Sequence, residues 1–353
     1  MKVVASIAYE KRKQIGVGQG MNSEVFVAHD PQLGGEIVVK EVEKAKFIGL
    51  PTFFVEAQAM FKSTHENIVP IAYACETPTH VCIAMPYFKR GSLTDRIETH
   101  SLRLSDIIKL GQGVLTGVAQ IHLSGFVHFD IKPSNVLFSD CDVPMVADFG
   151  QARPTAAGVV GRLPPIYQLV RPPELLTASG VGLPQGDVFQ VGLLLYRAVN
   201  GERHYAPQVP SGPNFDSDLR QRLATGKFPD RDRFMPHVPK HLRTVIRKAL
   251  KVDPTERHAT AIDFADALSN VKLGLDWHAE WLANDQIRWT AGRQGQPSLV
   301  VELLEDGSEW RVEIRTMNAG MKPRAKNTAD WRRKFTRDAA FSHLKVVFEN
   351  LAA

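Results

Sequence analysis

The stretch VHFDIKPSN at residues 127–135, followed by DFG at residues 148–150, decides how this chain is interpreted. Asp130 can accept a proton from a hydroxyl group, and Lys132 lies two residues further on. An acid, a cation and oxygen ligands at fixed offsets are what transfer of a phosphoryl group from a nucleotide to an alcohol requires. The stretch therefore indicates a phosphotransferase, with Asp130 and Lys132 as the candidate catalytic residues.

Two polar residues of the same region are candidate metal ligands. Asn135 closes the first stretch, and Asp148 opens the second one thirteen residues later. Carboxylate and amide oxygens are the ligands that Mg²⁺ prefers, with Mn²⁺ as the alternative ion. A surface loop could collect Asp, Lys and Asn by chance, but several matches in one order make chance a poor explanation.

The order and spacing of these residues resemble those of the eukaryotic-like (Hanks-type) serine/threonine protein kinases, in the form of the bacterial or phage-encoded members. The segment GQGMNSEV at residues 18–25 is similar to the family's glycine-rich loop, with Ser23 in place of the third glycine. Residues without Cβ let backbone N–H groups approach phosphate oxygens, although such a loop is weak evidence alone. The resemblance implies ATP as the cosubstrate, contacted here by Val17, Gly18, Gly20, Ser23 and Val25.

A lysine and a glutamate match the ion pair that holds phosphates in this family. IVVK at residues 37–40 is predicted to be an apolar strand ending in Lys40, which alone would be an ordinary solvated lysine. By resemblance Lys40 pairs with Glu56, which could instead be an exposed helix acid. Pro51 suits the first turn of the helix, and Phe61 is expected on its apolar side. The gap between Lys40 and Glu56 is short for the family, so we expect a shortened start of that helix.

VCIAMPY at residues 81–87 is predicted to be a buried strand that runs into the connection between two lobes. By resemblance Met85 lies at the back of the adenine pocket, and Tyr87 and Phe88 offer backbone groups to the ring. The resemblance also implies that apolar side chains pack on the two faces of the ring, Val25 and Val38 on one face and Leu137 on the other. A plain core strand is equally compatible with these residue types, so the assignment depends on position alone.

Downstream motifs are typical of the scaffold of the same family. RPPE at residues 171–174 resembles the end of the activation segment, and DPTER at residues 253–257 resembles the closing motif of the large lobe. A buried acid and a buried arginine are each costly unless they are paired, so Glu174 and Arg257 should meet. The resemblance implies an α+β, bilobal fold, with a small lobe at residues 1–86 and a large lobe at residues 87–271.

Residues 275–353 resemble no family and are predicted to form a small α+β module, called the tail below. Residues 299–304 and 310–317 flank EDGS at residues 305–308, whose Asp-Gly pair is a strong hairpin signal. We expect an apolar cluster around three tryptophans, Trp277, Trp281 and Trp289. Apolar residues at helical spacing predict a closing amphipathic helix. They are Phe341, Leu344, Phe348 and Leu351.

The tail also carries the excess of positive charge. The whole chain has a net charge of +5, whereas residues 321–337 contain seven Lys or Arg against the single acid Asp330. A basic stretch beside aromatic residues is compatible with nucleic acid as a partner, but it is more often a solvated connection. Docking of a partner protein and packing on the large lobe as a structural extension fit the sequence equally well.

Composition is typical of a cytoplasmic protein. The three cysteines, Cys75, Cys82 and Cys141, are scattered and lack metal-ligand spacing, which predicts a reducing compartment without disulfide bonds. The sequence has no evident signal peptide, and no apolar run approaches the roughly 18 residues of a membrane span. We therefore expect a soluble protein with no membrane partner.

Two functional interpretations remain. In the first, the chain is an active ATP-dependent kinase that phosphorylates protein substrates on serine or threonine. In the second, it is a catalytically weak scaffold or nucleotide sensor that acts by binding through the tail. Inactive relatives usually lose at least one catalytic group, and this chain retains all of them, which favours the first interpretation.

Two residues near Asp130 depart from the family's pattern. Phe129 stands where most relatives carry an arginine that pairs with a phosphate on the activation segment. Only Thr155 and Tyr167 bear hydroxyl groups between residues 148 and 174, so we predict activity that is independent of phosphorylation there. Tyr167 replaces a threonine that contacts the catalytic acid. The segment is expected to be held by packing of Val159, Val160, Leu163 and Ile166.

Overall fold

The structure is a computed structural model that describes residues 7–16, 23–46, 54–99, 102–161, 163–177, 180–292, 298–317, 323–325 and 333–352. Within these ranges the chain forms a β-rich small lobe, a mainly helical large lobe and an additional α+β tail, which confirms the predicted fold class. None of the helices in these ranges has the length and apolar character that crossing a bilayer requires.

The small lobe consists of an antiparallel sheet and one helix. Its elements are β1 (Glu10–Ile15), β2 (Ser23–Asp30), β3 (Gly35–Glu43), α1 (Val55–Lys62), β4 (Tyr73–Glu76) and β5 (His80–Pro86). The strands lie in the order β1-β2-β3-β5-β4, and successive side chains alternate between the two faces. One face buries Ile37 and Val39 in a small separate core. The other face brings Val38 and Ile83 into the core shared with the large lobe.

One of the two expectations for helix α1 is wrong, and the other falls on a residue that the structure does not describe. It begins at Val55, and Pro51 lies outside the described residues. Ala57 and Met60 are buried, but Phe61 is 72% exposed, so the prediction that Phe61 lies on the apolar side is wrong. Gln58 and Lys62 of α1 are exposed as well, so Phe61 lies where the buried face of the helix meets its solvent face. Phe61 therefore points away from the core.

The large lobe is organised around one buried helix. Its elements are α2 (Leu93–Thr99), α3 (Leu104–Leu123), β6 (Phe126–Val127), β7 (Val136–Phe138), β8 (Pro144–Val146), β9 (Arg153–Pro154), α4 (Pro184–Asn200), α5 (Glu202–Tyr205), α6 (Phe215–Ala224), α7 (Lys240–Ala249) and α8 (Ala261–Ser269). Residues 186–196 of α4 are buried on every side. Gly192 allows α7 to approach closely, because a Cβ there would lie 2.7 Å from the Cβ of Ala249.

The tail is an antiparallel meander followed by a helix. Its elements are β10 (Trp277–Trp281), β11 (Ile287–Ala291), β12 (Ser298–Asp306), β13 (Glu309–Met317), β14 (Pro323–Ala325) and α9 (Arg337–Ala352). The predicted hairpin is present, with Asp306 paired to Glu309 and Gly307 at a φ of 69°. The predicted closing helix is present as well, and it buries Leu344 and Phe348. Most of the basic segment lies outside the described residues.

The tail packs directly against the large lobe. Trp289 of β11 is completely buried, and its indole Nε1 donates a hydrogen bond to Nδ1 of His237, 3.0 Å away. Phe348 of α9 packs edge-on against Trp289. Asp276, just before β10, accepts hydrogen bonds from the backbone nitrogen and the hydroxyl group of Ser105 at 2.9 and 2.8 Å. The apolar cluster of the tail is thus continuous with the core of the large lobe.

This contact predicts a pH-dependent stability. Burial, with a smaller contribution from His278, lowers the pKa of His237 from 6.5 to about 3. At a pH between these two pKa values, the histidine is protonated in the unfolded chain but neutral in the folded chain. The free energy of unfolding should therefore fall as the pH is lowered through this range. From pH 7 to pH 5 the loss attributable to His237 should be about 2 kcal/mol. Urea denaturation at pH 7 and at pH 5 measures this difference in the free energy of unfolding.

Other groups also titrate in this range, so the comparison requires variants. His237→Asn retains a side-chain acceptor for Trp289 but cannot be protonated there, so its stability should depend less steeply on pH. His241→Asn, at an exposed position of the same lobe, is the matched control. An unchanged pH slope in His237→Asn would contradict the prediction.

Candidate active site

The first member of the candidate site is Lys40, which β3 presents toward the large lobe. The register of the sheet pairs Val25 of β2 with Lys40, and Val38 with Met85 of β5. The ammonium Nζ of Lys40 lies 2.7 Å from Oε1 of Glu56 on α1. The ion pair that the sequence predicts is therefore present.

Asp148 brings a second carboxylate to Lys40. Its Oδ1 lies 2.6 Å from Nζ of Lys40, although the two residues are 108 positions apart in the chain. Asp148 adopts a positive φ of 61° and accepts a hydrogen bond from the backbone nitrogen of Gly150. A Cβ on Gly150 would lie 3.0 Å from the lysine nitrogen and 3.2 Å from the carboxylate. Glycine at this position therefore leaves room for the ion pair.

The three charged groups shift one another's pKa. Burial alone would lower the pKa of Lys40, but the carboxylates of Asp148 and Glu56 outweigh burial and raise it above its usual value. Burial tends to raise the pKa of Asp148, yet the charge and hydrogen bond of Lys40 lower it to about 2. For Glu56 burial prevails over Lys40, and the pKa is raised. Lys40 and Asp148 are thus both charged at neutral pH.

Asp130 has one engaged and one unengaged carboxylate oxygen. Its Oδ2 accepts hydrogen bonds from Nζ of Lys132 and from Nδ2 of Asn135, each at 2.8 Å. Its Oδ1 is buried and has no hydrogen-bond partner among the described residues. A buried acceptor without a partner is costly. The arrangement therefore leaves this oxygen ready to accept a hydrogen bond from a bound hydroxyl group.

The electrostatics of Asp130 suit a proton acceptor. Burial raises its pKa, and the positive charge and hydrogen bond of Lys132 oppose that shift. The neighbouring charge of Asp148 raises the pKa further. A carboxylate with a raised pKa is a stronger base than an ordinary aspartate, which favours transfer of a proton to it.

The loop that carries Asp130 is held by helix α4. Oδ1 of Asp187 accepts a hydrogen bond from the backbone nitrogen of Phe129 at 2.8 Å. Gln190, almost one turn further along α4, accepts from the backbone nitrogen of Ile131 at 2.9 Å and donates to the carbonyl of Phe129 at 2.8 Å. The sequence identifies no role for Gln190. Its spacing from Asp187 places both on one face of α4, but the spacing does not indicate which loop that face contacts.

Five of the six residues predicted to enclose adenine belong to the main apolar core or pack against it. Val38 and Met85 belong to the main apolar core, and partly buried neighbours pack against it, namely Val25, Phe88 and Leu137. Tyr87 is exposed in the connection after β5. Ser23 begins β2, whereas Val17, Gly18 and Gly20 lie outside the described residues.

Phe129 anchors the activation segment by apolar contact. Its side chain is completely buried, and its backbone has a positive φ of 63°. The side chains of Phe129, Leu163 and Val160 converge on Gly182, where a Cβ would lie between 2.7 and 3.0 Å from each of them. Gly182 also accepts a backbone hydrogen bond from Val160 at 3.0 Å. These contacts hold the segment on the loop before α4.

One of the four residues expected to pack the segment does not do so. Ile166 is buried, but Val159 is 41% exposed, which corrects the expectation for Val159. The backbone groups of Ala156 and Val159 hydrogen-bond each other across a tight turn. This turn lies at the surface, so the side chain of Val159 has no core to enter.

Tyr167 contacts Lys132 instead of the acid. Nζ of Lys132 lies 5.3 Å from the centre of the Tyr167 ring, at a distance suited to a cation–π interaction. Tyr167 is 52% exposed, so the ring forms part of the outer wall of the site.

Glu174 and Arg257 meet as the sequence predicts. Nη1 and Nη2 of Arg257 donate to the two oxygens of Glu174 at 2.9 and 2.5 Å, a bidentate geometry. Nη1 also donates to the carbonyl of Gln185 at 2.7 Å. This buried pair joins the end of the activation segment to the closing motif of the large lobe.

Asn135 and Asp148 have the donor atoms that a divalent cation requires. Asn135 donates its Nδ2 to Asp130, and its amide oxygen, which accepts a long hydrogen bond of 3.4 Å from the hydroxyl of Ser134, is a potential ligand. The carboxylate of Asp148 is 44% exposed. Hard oxygen donors of this kind suit Mg²⁺ and Mn²⁺, so the residues present fit a metal–nucleotide complex.

Comparisons with known proteins agree with this geometry. A family model described as a protein kinase domain matches residues 9–268. The chain is 27% identical over 253 residues to the probable serine/threonine-protein kinase PknB of Lactococcus lactis, which covers 69% of this chain and 39% of that protein. It is 27% identical over 306 residues to the serine/threonine-protein kinase pkn2 of Myxococcus xanthus, covering 83% and 36%. It is 29% identical over 258 residues to the calcium/calmodulin-dependent protein kinase type 1B of Rattus norvegicus, covering 71% and 72%. The chain thus spans less than half the length of the two bacterial relatives.

Proposed function

The chain belongs to the protein kinase family, and from this premise we propose that it transfers the γ-phosphoryl group of ATP to serine or threonine hydroxyl groups of protein substrates. The observation that carries the proposal is the buried, unengaged Oδ1 of Asp130, beside a lysine held on the other oxygen.

Bound ATP and its Mg²⁺, or alternatively Mn²⁺, supply the phosphoryl group and offset charge on the phosphate oxygens. Asp130 accepts the proton of the substrate hydroxyl through Oδ1, so that the hydroxyl oxygen can form its bond to the γ-phosphorus. The bond from that phosphorus to the bridging oxygen breaks, and ADP leaves with the electron pair. Lys132 orients the carboxylate through Oδ2 and places a positive charge beside the group that is transferred. Lys40, held by Glu56, orients the phosphates.

The remaining assignments complete this proposal. Asn135 and Asp148 are the proposed metal ligands, since both present oxygen donors. The register that pairs Val38 with Met85 in the main apolar core supports the proposed adenine pocket, to which Val25, Phe88 and Leu137 are also assigned. The division into a small lobe at residues 1–86, a large lobe at residues 87–271 and a tail at residues 275–353 is likewise a proposal.

The role of the tail and the location of the protein belong to the same proposal. Burial of Trp289 against the large lobe supports a structural extension, on whose outer surface a partner protein could dock. Nucleic acid is the less favoured partner, because Lys334 and Arg337 each lie within 4 Å of carboxylates, at 3.7 and 3.6 Å. Three cysteines without disulfide spacing support the cytoplasm as the compartment.

The direct test is an assay of γ-phosphoryl transfer with the purified protein. A generic protein substrate is incubated with ATP and Mg²⁺, and the modified residues are mapped by mass spectrometry. Phosphoserine or phosphothreonine is the expected product. Nucleotide binding without transfer would instead identify a nucleotide sensor.

We predict that activity does not require a phosphorylated activation segment. Phe129 cannot donate hydrogen bonds to a phosphate, and it holds the segment through Leu163 and Val160 instead. Phosphatase treatment and Thr155→Ala should each leave the initial rate within about twofold of the untreated enzyme, because no charge-assisted contact is lost. A loss of about tenfold or more in either would show that a phosphate is recognised by a cation elsewhere in the site.

We also predict that the ring of Tyr167 positions Lys132. Tyr167→Ala should lower the rate of transfer about two- to fivefold, the range expected for an exposed cation–π contact. Tyr167→Phe retains the ring and should behave like the wild type. Equal losses in both variants would assign the effect to the hydroxyl group instead. Rates at saturating ATP separate this effect from nucleotide binding.

A further inference from the structure

A cavity lies at the junction of the large lobe and the tail, apart from the cleft that contains Asp130. Its volume is about 870 Å³. Residues of α5 and the loop at residues 233–234 line it on one side, and Trp281 and α9 line it on the other. Small-molecule sites in proteins are roughly 300–1,000 Å³ in volume, so the cavity is large enough for an organic ligand.

The lining of this cavity has an excess of positive charge. Its cations are Arg203, Arg233, Arg337 and Lys345, and its carboxylates are Asp285 and Asp338. Arg337 lies 3.6 Å from Asp285. Among the residues that the structure describes, Arg203, Arg233 and Lys345 have no ion-pair partner. The cavity thus carries two positive charges that its own carboxylates do not balance.

A buried histidine forms part of the wall of this cavity. His204 lines the cavity and is only 7% exposed. Its ring is stacked on Phe341 of α9. Burial, and the charges of Arg233 and Arg337, lower the pKa of His204 to about 4. Arg233 and Arg337 thus lie close enough to His204 to disfavour its protonation.

We propose that this cavity binds a ligand that carries a phosphomonoester group. Such a group is close to a dianion at neutral pH, which matches the two unbalanced positive charges of the lining. The planar forks of Arg203 and Arg233 suit bidentate hydrogen bonds to phosphate oxygens, and the first turn of α9 contributes a partial positive charge. Trp281 and Phe341 offer aromatic surface for the organic part of the ligand. The site does not depend on phosphoryl transfer at Asp130.

The phosphomonoester could belong to a phosphorylated protein segment or to a free phosphorylated metabolite. Isothermal titration of the full-length protein distinguishes these sources with two probes, a short peptide with one phosphoserine and ribose 5-phosphate. The unphosphorylated peptide, ribose and inorganic sulfate are the controls. Tighter binding of the peptide indicates a phosphoprotein, and tighter binding of the sugar phosphate indicates a metabolite.

Substitutions of residues that line the cavity test whether the phosphorylated probe binds there. Arg203→Ala and Lys345→Ala should each weaken binding of the phosphorylated probe by about tenfold, because each removes one cation from the site. Both side chains lack ion-pair partners, so folding should be retained, and thermal unfolding checks this. Arg220→Ala, an exposed arginine outside the cavity, should bind normally. Asp130→Asn should also bind normally, whether or not the protein proves to be an active kinase.

The proposal would be overturned if neither phosphorylated probe binds, or if sulfate binds with the same affinity as the phosphorylated probe. It would also be overturned if Arg203→Ala and Lys345→Ala bind the probe as tightly as the wild type. Binding that is lost in Asp130→Asn but retained in the cavity variants would assign the probe to the cleft, and it would overturn the proposal as well.

Discussion

Replacing Asp130 with asparagine will lower the rate of phosphoryl transfer by about 10²–10⁴-fold, the usual contribution of a general base. The amide oxygen of the variant can still accept hydrogen bonds from Lys132 and Asn135, as Oδ2 of Asp130 does. The amide NH₂ then occupies the position of Oδ1 and cannot accept a proton. Initial rates at saturating ATP measure the loss.

The control for this variant is Asp140→Asn, which makes the same change at an exposed position of the large lobe. Asp140→Asn should transfer phosphate at the wild-type rate. Asp130→Asn should retain its fold and its affinity for ATP, because only one charge of the site changes. A rate close to wild type in Asp130→Asn would exclude the role proposed for this residue.

Replacing Asp148 with alanine will remove Mg²⁺-dependent transfer, with a loss of at least about a hundredfold. A catalytic metal stabilises charge in the transition state by several kcal/mol, and each 1.4 kcal/mol corresponds to about tenfold in rate. The change also takes from Lys40 one of its two carboxylate partners. Glu56 remains, so the orientation of Lys40 should be kept in part.

A direct measurement of metal binding separates the two effects. Electron paramagnetic resonance of Mn²⁺ with ATP present should show weaker metal binding in Asp148→Ala and normal binding in Asp140→Ala. Lys40→Met leaves the proposed metal ligands in place, so it should impair transfer more than metal binding. Normal Mg²⁺-dependent turnover in Asp148→Ala would refute the assignment of Asp148 as a metal ligand.

The class of fold, and the residues that share the loop of Asp130, were predictable without the structure. Asp130, Lys132 and Asn135 lie within six consecutive residues, so a short piece of backbone already brings them to one loop. The pairing of Glu174 with Arg257 was also predicted, because their motifs resemble buried motifs of the family and a buried charge needs a partner of opposite sign. Local spacing and the cost of burying charge are properties that a linear sequence carries.

Contacts between residues that are far apart in the sequence were visible only in the folded protein. Lys40 contacts Asp148, 108 positions away, and Trp289 contacts His237, 52 positions away. The fold also left Oδ1 of Asp130 without a partner among the described residues. Phe61 and Val159 proved exposed because burial depends on which elements pack over a residue, and residue type does not determine that. Each of these features depends on the packing of elements from distant parts of the chain, which no local pattern specifies.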